Sequence, residues 1–193
     1  KRLEGIAKCK GDSVFVKDGG GMAPLMNLLT LTKKAQLEVL KTALGFFLQF
    51  VGGDPEAETA TAAENALYII RSGNTNPSAD WNGGDYFIRL FDNKDPEIQK
   101  VAMKVFRLMT ESVAGQQDTN TEKAQFLGIM LEAGEPLPYL CTWMAQREEA
   151  DERLDALHAL VNTVCIMNWR PQAKAVHLKM IELNAVTEGM KMI

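Results

Sequence analysis

The tripeptide Asp-Pro-Glu occurs twice, at Asp54-Pro55-Glu56 and at Asp95-Pro96-Glu97, 41 residues apart (95 − 54), and each copy precedes a long stretch with apolar residues at helical spacing. Each residue suits a helix start. The aspartate carboxylate caps free backbone N–H groups, proline fits the first helical position, and glutamate complements the positive end of the helix dipole. A start signal that returns about every 40 residues is the mark of an α-solenoid. Stacked helices of that kind expose an extended surface and enclose no deep pocket, so the repeat points to binding more than to catalysis.

The second copy predicts a helix from Asp95 to about Val113, with Ile98, Val101, Ala102, Val105, Leu108, Met109 and Val113 forming one buried stripe. Lys100, Lys104, Arg107 and Glu111 fall on the opposite face. The equivalent helix of the preceding unit opens at Asp54, carries Ala63, Ala66, Leu67 and Ile70, and ends near Gly73. A third opens in the charged run Arg147 to Arg153, read as a solvated first turn, and carries Leu154, Leu157, Leu160, Val161 and Val164. Aligning Ala63 with Ala102 sets the register at 39 residues (102 − 63). Turns led by Gly20-Gly21, Asn82-Gly83-Gly84, Ala133-Gly134 and Asn184 each precede a further apolar helix. Aligned on Leu25, Phe87, Leu140 and Gly189, these give steps of 62, 53 and 49 residues, so long loops or an extra helix over Lys34 to Val51 must fill the difference. A helix is also predicted over Glu122 to Ala133, and no segment alternates as a half-buried strand must.

With 193 residues, 46% hydrophobic and 24% charged, the chain can bury a substantial core as one unit. Its net charge of −4 and pI near 5.3 argue against nucleic-acid binding, which needs dense phosphate neutralisation. The longest apolar run, Ala43 to Leu48, is far short of the ~20 residues that span a bilayer. Cys9, Cys141 and Cys165 are scattered and read as small buried residues in a reducing, cytoplasmic compartment. His158 and His177 lie in no metal-binding spacing, and no phosphate-binding glycine motif or nucleophile–base pair occurs, so no enzyme activity, metal, cofactor or small-molecule substrate is expected. Trp143 and Trp169 read as core, while Trp81 either packs under its loop or is an exposed anchor. A helical pattern already running from Lys1 leads us to expect a piece of a longer protein.

Several segments resemble the armadillo repeat, a unit of one short and two longer helices. Gly20-Gly21-Met22-Ala23-Pro24-Leu25-Met26-Asn27-Leu28-Leu29 is similar to the opening of its second helix, and Asp95 to Leu108 resembles its third. Ala156-Leu157-His158-Ala159-Leu160-Val161-Asn162 is similar to the run that ends that third helix, and Ala175 to Leu183 to the first helix of a next unit. The likeness extends from about Leu3 to Ile193. It implies an all-α, right-handed superhelix of about three to four armadillo-like units with irregular loop insertions, spanning residues 1–193 as a single region. It further implies a non-catalytic scaffold or adaptor that binds a protein partner along the concave face of the long helices. The residues so placed are Lys100, Lys104, Arg107 and Glu111, then Glu64, Tyr68 and Arg71, then His158 and Asn162, with Trp81 as a further anchor. Peptide-binding members carry an asparagine in each unit. Here Asn162 fills that position while Leu108 and Ile69 stand in the two units before, so an extended-peptide groove of that kind is not expected, and the mixed charge of the concave-face residues implies a folded partner or a mixed-sign segment in place of a strongly basic peptide. Two other roles known among armadillo-like proteins fit the same surface: a co-chaperone acting on an Hsp70-type ATPase, and a structural subunit of a large assembly.

Overall fold

The computed structural model describes residues 22–30, 36–52, 64–69, 83–114, 136–167, 173–185 and 187. Among these residues are the helices α1 (Met22–Leu28), α2 (Leu37–Gly52), α3 (Gly83–Arg89), α4 (Pro96–Ala114), α5 (Pro136–Gln146), α6 (Ala150–Met167) and α7 (Ala173–Glu182). A 3₁₀ turn, Leu90–Asp92, continues α3, and residues 64–69 form a further helical segment. Every regular element among the described residues is helical, so the chain is all-α.

The start of α4 is built as its sequence requires. Asp95 Oδ1 accepts the Glu97 N–H at 3.0 Å, Asn93 Oδ1 accepts the Asp95 N–H at 2.9 Å, and Pro96 is the first helical residue. Gln99 Nε2 donates back to the Asn93 carbonyl at 2.6 Å. Beyond this cap the helix buries Ile98, Ala102, Met103, Val105, Phe106, Met109, Thr110 and Val113, which is more than one stripe. It is enclosed because α2, α6 and the α3–3₁₀ segment all pack on it. Thr110, fully buried, spends its hydroxyl on the Arg107 carbonyl at 2.7 Å, so that hydroxyl is not left unpaired.

Three long helices run in the same direction. Lys41, early in α2, reaches Asp95 at 2.9 Å, and a methyl placed on Gly52, at the end of α2, would stand 3.4 Å from Leu108 Cδ1. On the other flank, Arg147 donates to Gln99 Oε1 and Lys100 Nζ lies 3.4 Å from Glu152, joining the first turns of α4 and α6. Phenylalanines fill the space between helices. Phe47 meets Phe87 edge-on at 5.3 Å and Phe91 meets Phe106 edge-on at 5.6 Å, a geometry worth ~0.5–1.5 kcal/mol beyond area burial.

The short helices follow the steps of 62 and 53 read from the turns, and the long helix beside α4 is α2, where an extra helix was expected; residues 53–63, which include Asp54, lie outside the described residues. Short helices begin at residues 22, 83 and 136 and long ones at 37, 96 and 150, which gives steps of 61 and 53 (83 − 22, 136 − 83) and of 59 and 54 (96 − 37, 150 − 96). Of the helix expected from Asp54 to Gly73, residues 64–69 are described; Asn65 there donates to the Phe50 carbonyl near the end of α2 at 2.7 Å.

In α6 Leu160 is buried and Leu157 packs on the core as expected, but the buried face is turned away from Leu154 and Val161. Leu154 and Val161 are 44% and 50% exposed, whereas Ala156, Ala159, Leu160, Thr163 and Ile166 are buried. Close approach to α4 and α5 selects alanines, and the bulkier Leu154 and Val161 turn outward. Gly83 and Gly84 form the first turn of α3 and do not precede it. Asn184 ends α7 in the left-handed region, φ 53°, which asparagine tolerates better than most residues. Cys141 is buried as expected; Cys165 is exposed, because it shares the outward face of α6 with Val161. Cys9, Arg71, Trp81, Trp169 and the helix expected over residues 122–133 lie outside the described residues.

The rotated face of α6 separates two neighbouring residues that the sequence placed on one stripe. Leu160→Ala should lower the unfolding free energy by ~2–4 kcal/mol and Val161→Ala by less than ~0.5 kcal/mol in urea titrations. Equal losses would mean that α6 packs in the other phase.

Candidate functional site

The seam between α4 and α6 gathers most of the residues anticipated from sequence. Arg107 Nε lies 2.9 Å from Asp155 Oδ1 and its Nη1 donates to Glu111 Oε2 at 2.7 Å, so this guanidinium bridges both helices. Its side chain is only 17% exposed, which makes it a structural brace with little left to offer a partner. Lys100 is committed to Glu152 but keeps nearly half its surface. Lys104 and His158 are exposed and Asn162 is half-buried; among the described residues neither Lys104 nor His158 makes a hydrogen bond or ion pair. Burial pushes the Asp155 carboxyl above the usual carboxylate range, against the pull of Arg107, Lys104 and His158. The seam is therefore a line of fixed charge pairs with free donors between them.

Other anticipated residues stand elsewhere. Tyr68 is half-buried and Glu64 exposed on segment 64–69, which is tied to α2 and belongs to neither helix of the seam. Arg71 and Trp81 are among the residues not described.

A second locus was not anticipated. A cleft of about 340 Å³ opens between the 3₁₀ turn, the first turns of α4 and the outer face of α5. Tyr139, Thr142, Trp143 and Gln146 recur at helical spacing and so project from one face of α5. Phe91 and Trp143, both nearly inaccessible, form its floor; Tyr139 crosses Phe91 at 6.0 Å and 70°. Tyr139 Oη donates to Asp92 Oδ2 at 2.7 Å, and that bond together with burial raises the phenol above its ordinary value. At the other end the Arg147 guanidinium stacks 4.0 Å over Trp143, donates to Gln99 and lies 3.7 Å from Glu152. Thus Arg147 and Glu152, part of what read as a solvated run, connect α4, α5 and α6. The i, i+4 spacing of Trp143 with Arg147 and of Tyr139 with Trp143 was the sequence signal for this site.

Among the described residues no group of three or more His, Cys, Asp and Glu could hold a metal ion, and no helix is long and apolar enough to cross a membrane. No protein-family model matches the chain, and no curated protein matches it in sequence.

Asp155 supplies a pH signature for the seam. Its folded-state carboxyl titrates above the ordinary 3.8, so the folded form binds a proton that the unfolded form has already lost. Its contribution is fully present below pH 3.8 and falls away as pH rises through the higher folded value. Asp155→Asn should therefore flatten the stability profile just above that pH, measured by urea unfolding at closely spaced pH values; an unchanged slope would show that Asp155 is not desolvated.

Proposed function

We propose that this chain is an armadillo-like α-solenoid region that acts as a non-catalytic scaffold or adaptor and binds a protein partner along the α4–α6 seam. The observation that carries this reading is the recurrence of a short helix followed by a long one, at residues 22 and 37, 83 and 96, 136 and 150, with the long helices aligned in one direction. Helices stacked in that manner leave a continuous side-chain surface across units. On it, the ion pairs of Lys100 and Arg107 hold neighbouring side chains in place, which reduces the ordering cost of association. Lys104, His158 and Asn162 then supply donors, while Glu111 and Asp155 keep the charge mixed. Such a surface suits a folded partner, or a segment carrying both signs of charge, better than a uniformly basic peptide.

The reading is tested by affinity capture from cell extract followed by direct titration of the captured partner. Lys104→Glu combined with His158→Glu should weaken that partner at least tenfold, about 1.4 kcal/mol, while the helical circular-dichroism spectrum is retained, because both side chains are exposed and neither packs in the core. Undiminished binding would remove the seam from the interface. Hydrolase or transferase turnover by the chain alone would overturn the non-catalytic assignment.

A further inference from the structure

We propose that the cleft between α5 and the 3₁₀ turn is a docking pocket for a basic side chain, the ammonium or guanidinium of a lysine or arginine presented by a protein partner. Its volume, about 340 Å³, lies at the small end of ligand sites and suits a side chain with its flanking backbone. Two formal charges line it, Asp92 and Arg147. Arg147 is already answered by Glu152 at 3.7 Å, by the Gln99 carbonyl oxygen and by the face of Trp143. Asp92 is exposed, and its one partner among the described residues is the neutral Tyr139 hydroxyl. The uncompensated charge of the cleft is therefore negative.

The geometry around that charge favours a cation further. Tyr139 keeps its proton and holds Asp92 through Oδ2, which orients the carboxylate and leaves Oδ1 to accept from a ligand. The stacked Arg147 shows that the aromatic wall tolerates a guanidinium against it. A lysine or arginine could lay its methylene stem along Tyr139 and bring its head to Asp92. Thr142 and Gln146, both exposed at the rim, are placed to hydrogen-bond the backbone on either side of that residue. An anion entering the same space would meet Asp92 with no free countercharge.

This inference rests on reading the chain as a protein-binding region, but its test needs no partner. The ¹⁵N-labelled chain would be titrated by NMR with N-acetylarginine amide, N-acetylnorleucine amide and N-acetylglutamate amide. The arginine probe should produce saturable shifts confined to residues 90–92 and 139–147, with a dissociation constant on the order of millimolar. The other two probes should bind at least tenfold more weakly, Asp92→Asn should abolish the arginine shifts, and Tyr139→Phe should reduce them by loosening the carboxylate. Absence of saturable shifts, equal binding of norleucine or glutamate, or arginine binding undisturbed by Asp92→Asn would each overturn the proposal. The chain carrying Lys104→Glu and His158→Glu should keep the arginine response, so failure of the seam and failure of the cleft give different results.

Discussion

Everything described here depends on the enclosure of α4. A helix flanked by α2 and α6 and backed by the α3–3₁₀ segment must be apolar over most of its circumference, and α4 is, from Ile98 to Val113. The polar remainder, Lys100, Lys104, Arg107 and Glu111, is then confined to one line, which becomes the seam with α6. Direction is set at the first turn, where Lys41 meets Asp95, Arg147 meets Gln99 and Lys100 meets Glu152. Partly exposed ion pairs of this kind are worth only ~0–1 kcal/mol each, so their effect is to choose register while the phenylalanine-rich core supplies stability.

The sequence was most legible where local chemistry and burial agree. Asp95-Pro96-Glu97 announces a capped helix, and the helix starts at Pro96 with the Asp95 carboxylate on the Glu97 amide. Legibility failed where periodicity had to choose between two apolar phases. In α6, Leu154 and Val161 look like core by hydrophobicity alone, yet close packing against α4 and α5 gives the inner face to Ala156 and Ala159. The steps of 62 and 53 read from the turns agree with short helices that begin 61 and 53 residues apart, whereas the 39-residue register is not that of the long helices. Asp54-Pro55-Glu56 copies the cap signal, but α2, which lacks the tripeptide, is the helix that lies beside α4. A start signal reports a local event, whereas neighbourhood is decided by which faces fit.

The candidate site divides along the same line. Lys104 was recognisable as outward-facing because it lies opposite the apolar stripe of its own helix, and it is exposed. The loss of Arg107 to Asp155 and Glu111 depended on a contact between residues 48 positions apart in sequence (155 − 107), which no helical pattern reports. The cleft shows the opposite balance. Its α5 face was visible as an i, i+4 ladder of Tyr139, Trp143 and Arg147, but the ladder acquires a charge only when the fold brings Asp92 to Tyr139 and Glu152 to Arg147.

Seam and cleft meet at adjacent residues of α4. Gln99 takes the Arg147 guanidinium on the cleft side, Lys100 takes Glu152 on the seam side, and Glu152 lies near both cations. One step along a helix turns a side chain by ~100°, so neighbouring residues can serve two surfaces from one rigid backbone. Both loci thus stand on helices held by the same buried core, with short polar contacts orienting Arg107, Arg147 and Asp92 while Lys104 and His158 extend without one among the described residues. On the proposed reading, backbones fixed in that way stand ready before a partner arrives, which is the condition under which a few exposed groups, Lys104 and His158 on one face and Asp92 on the other, would discriminate between partners.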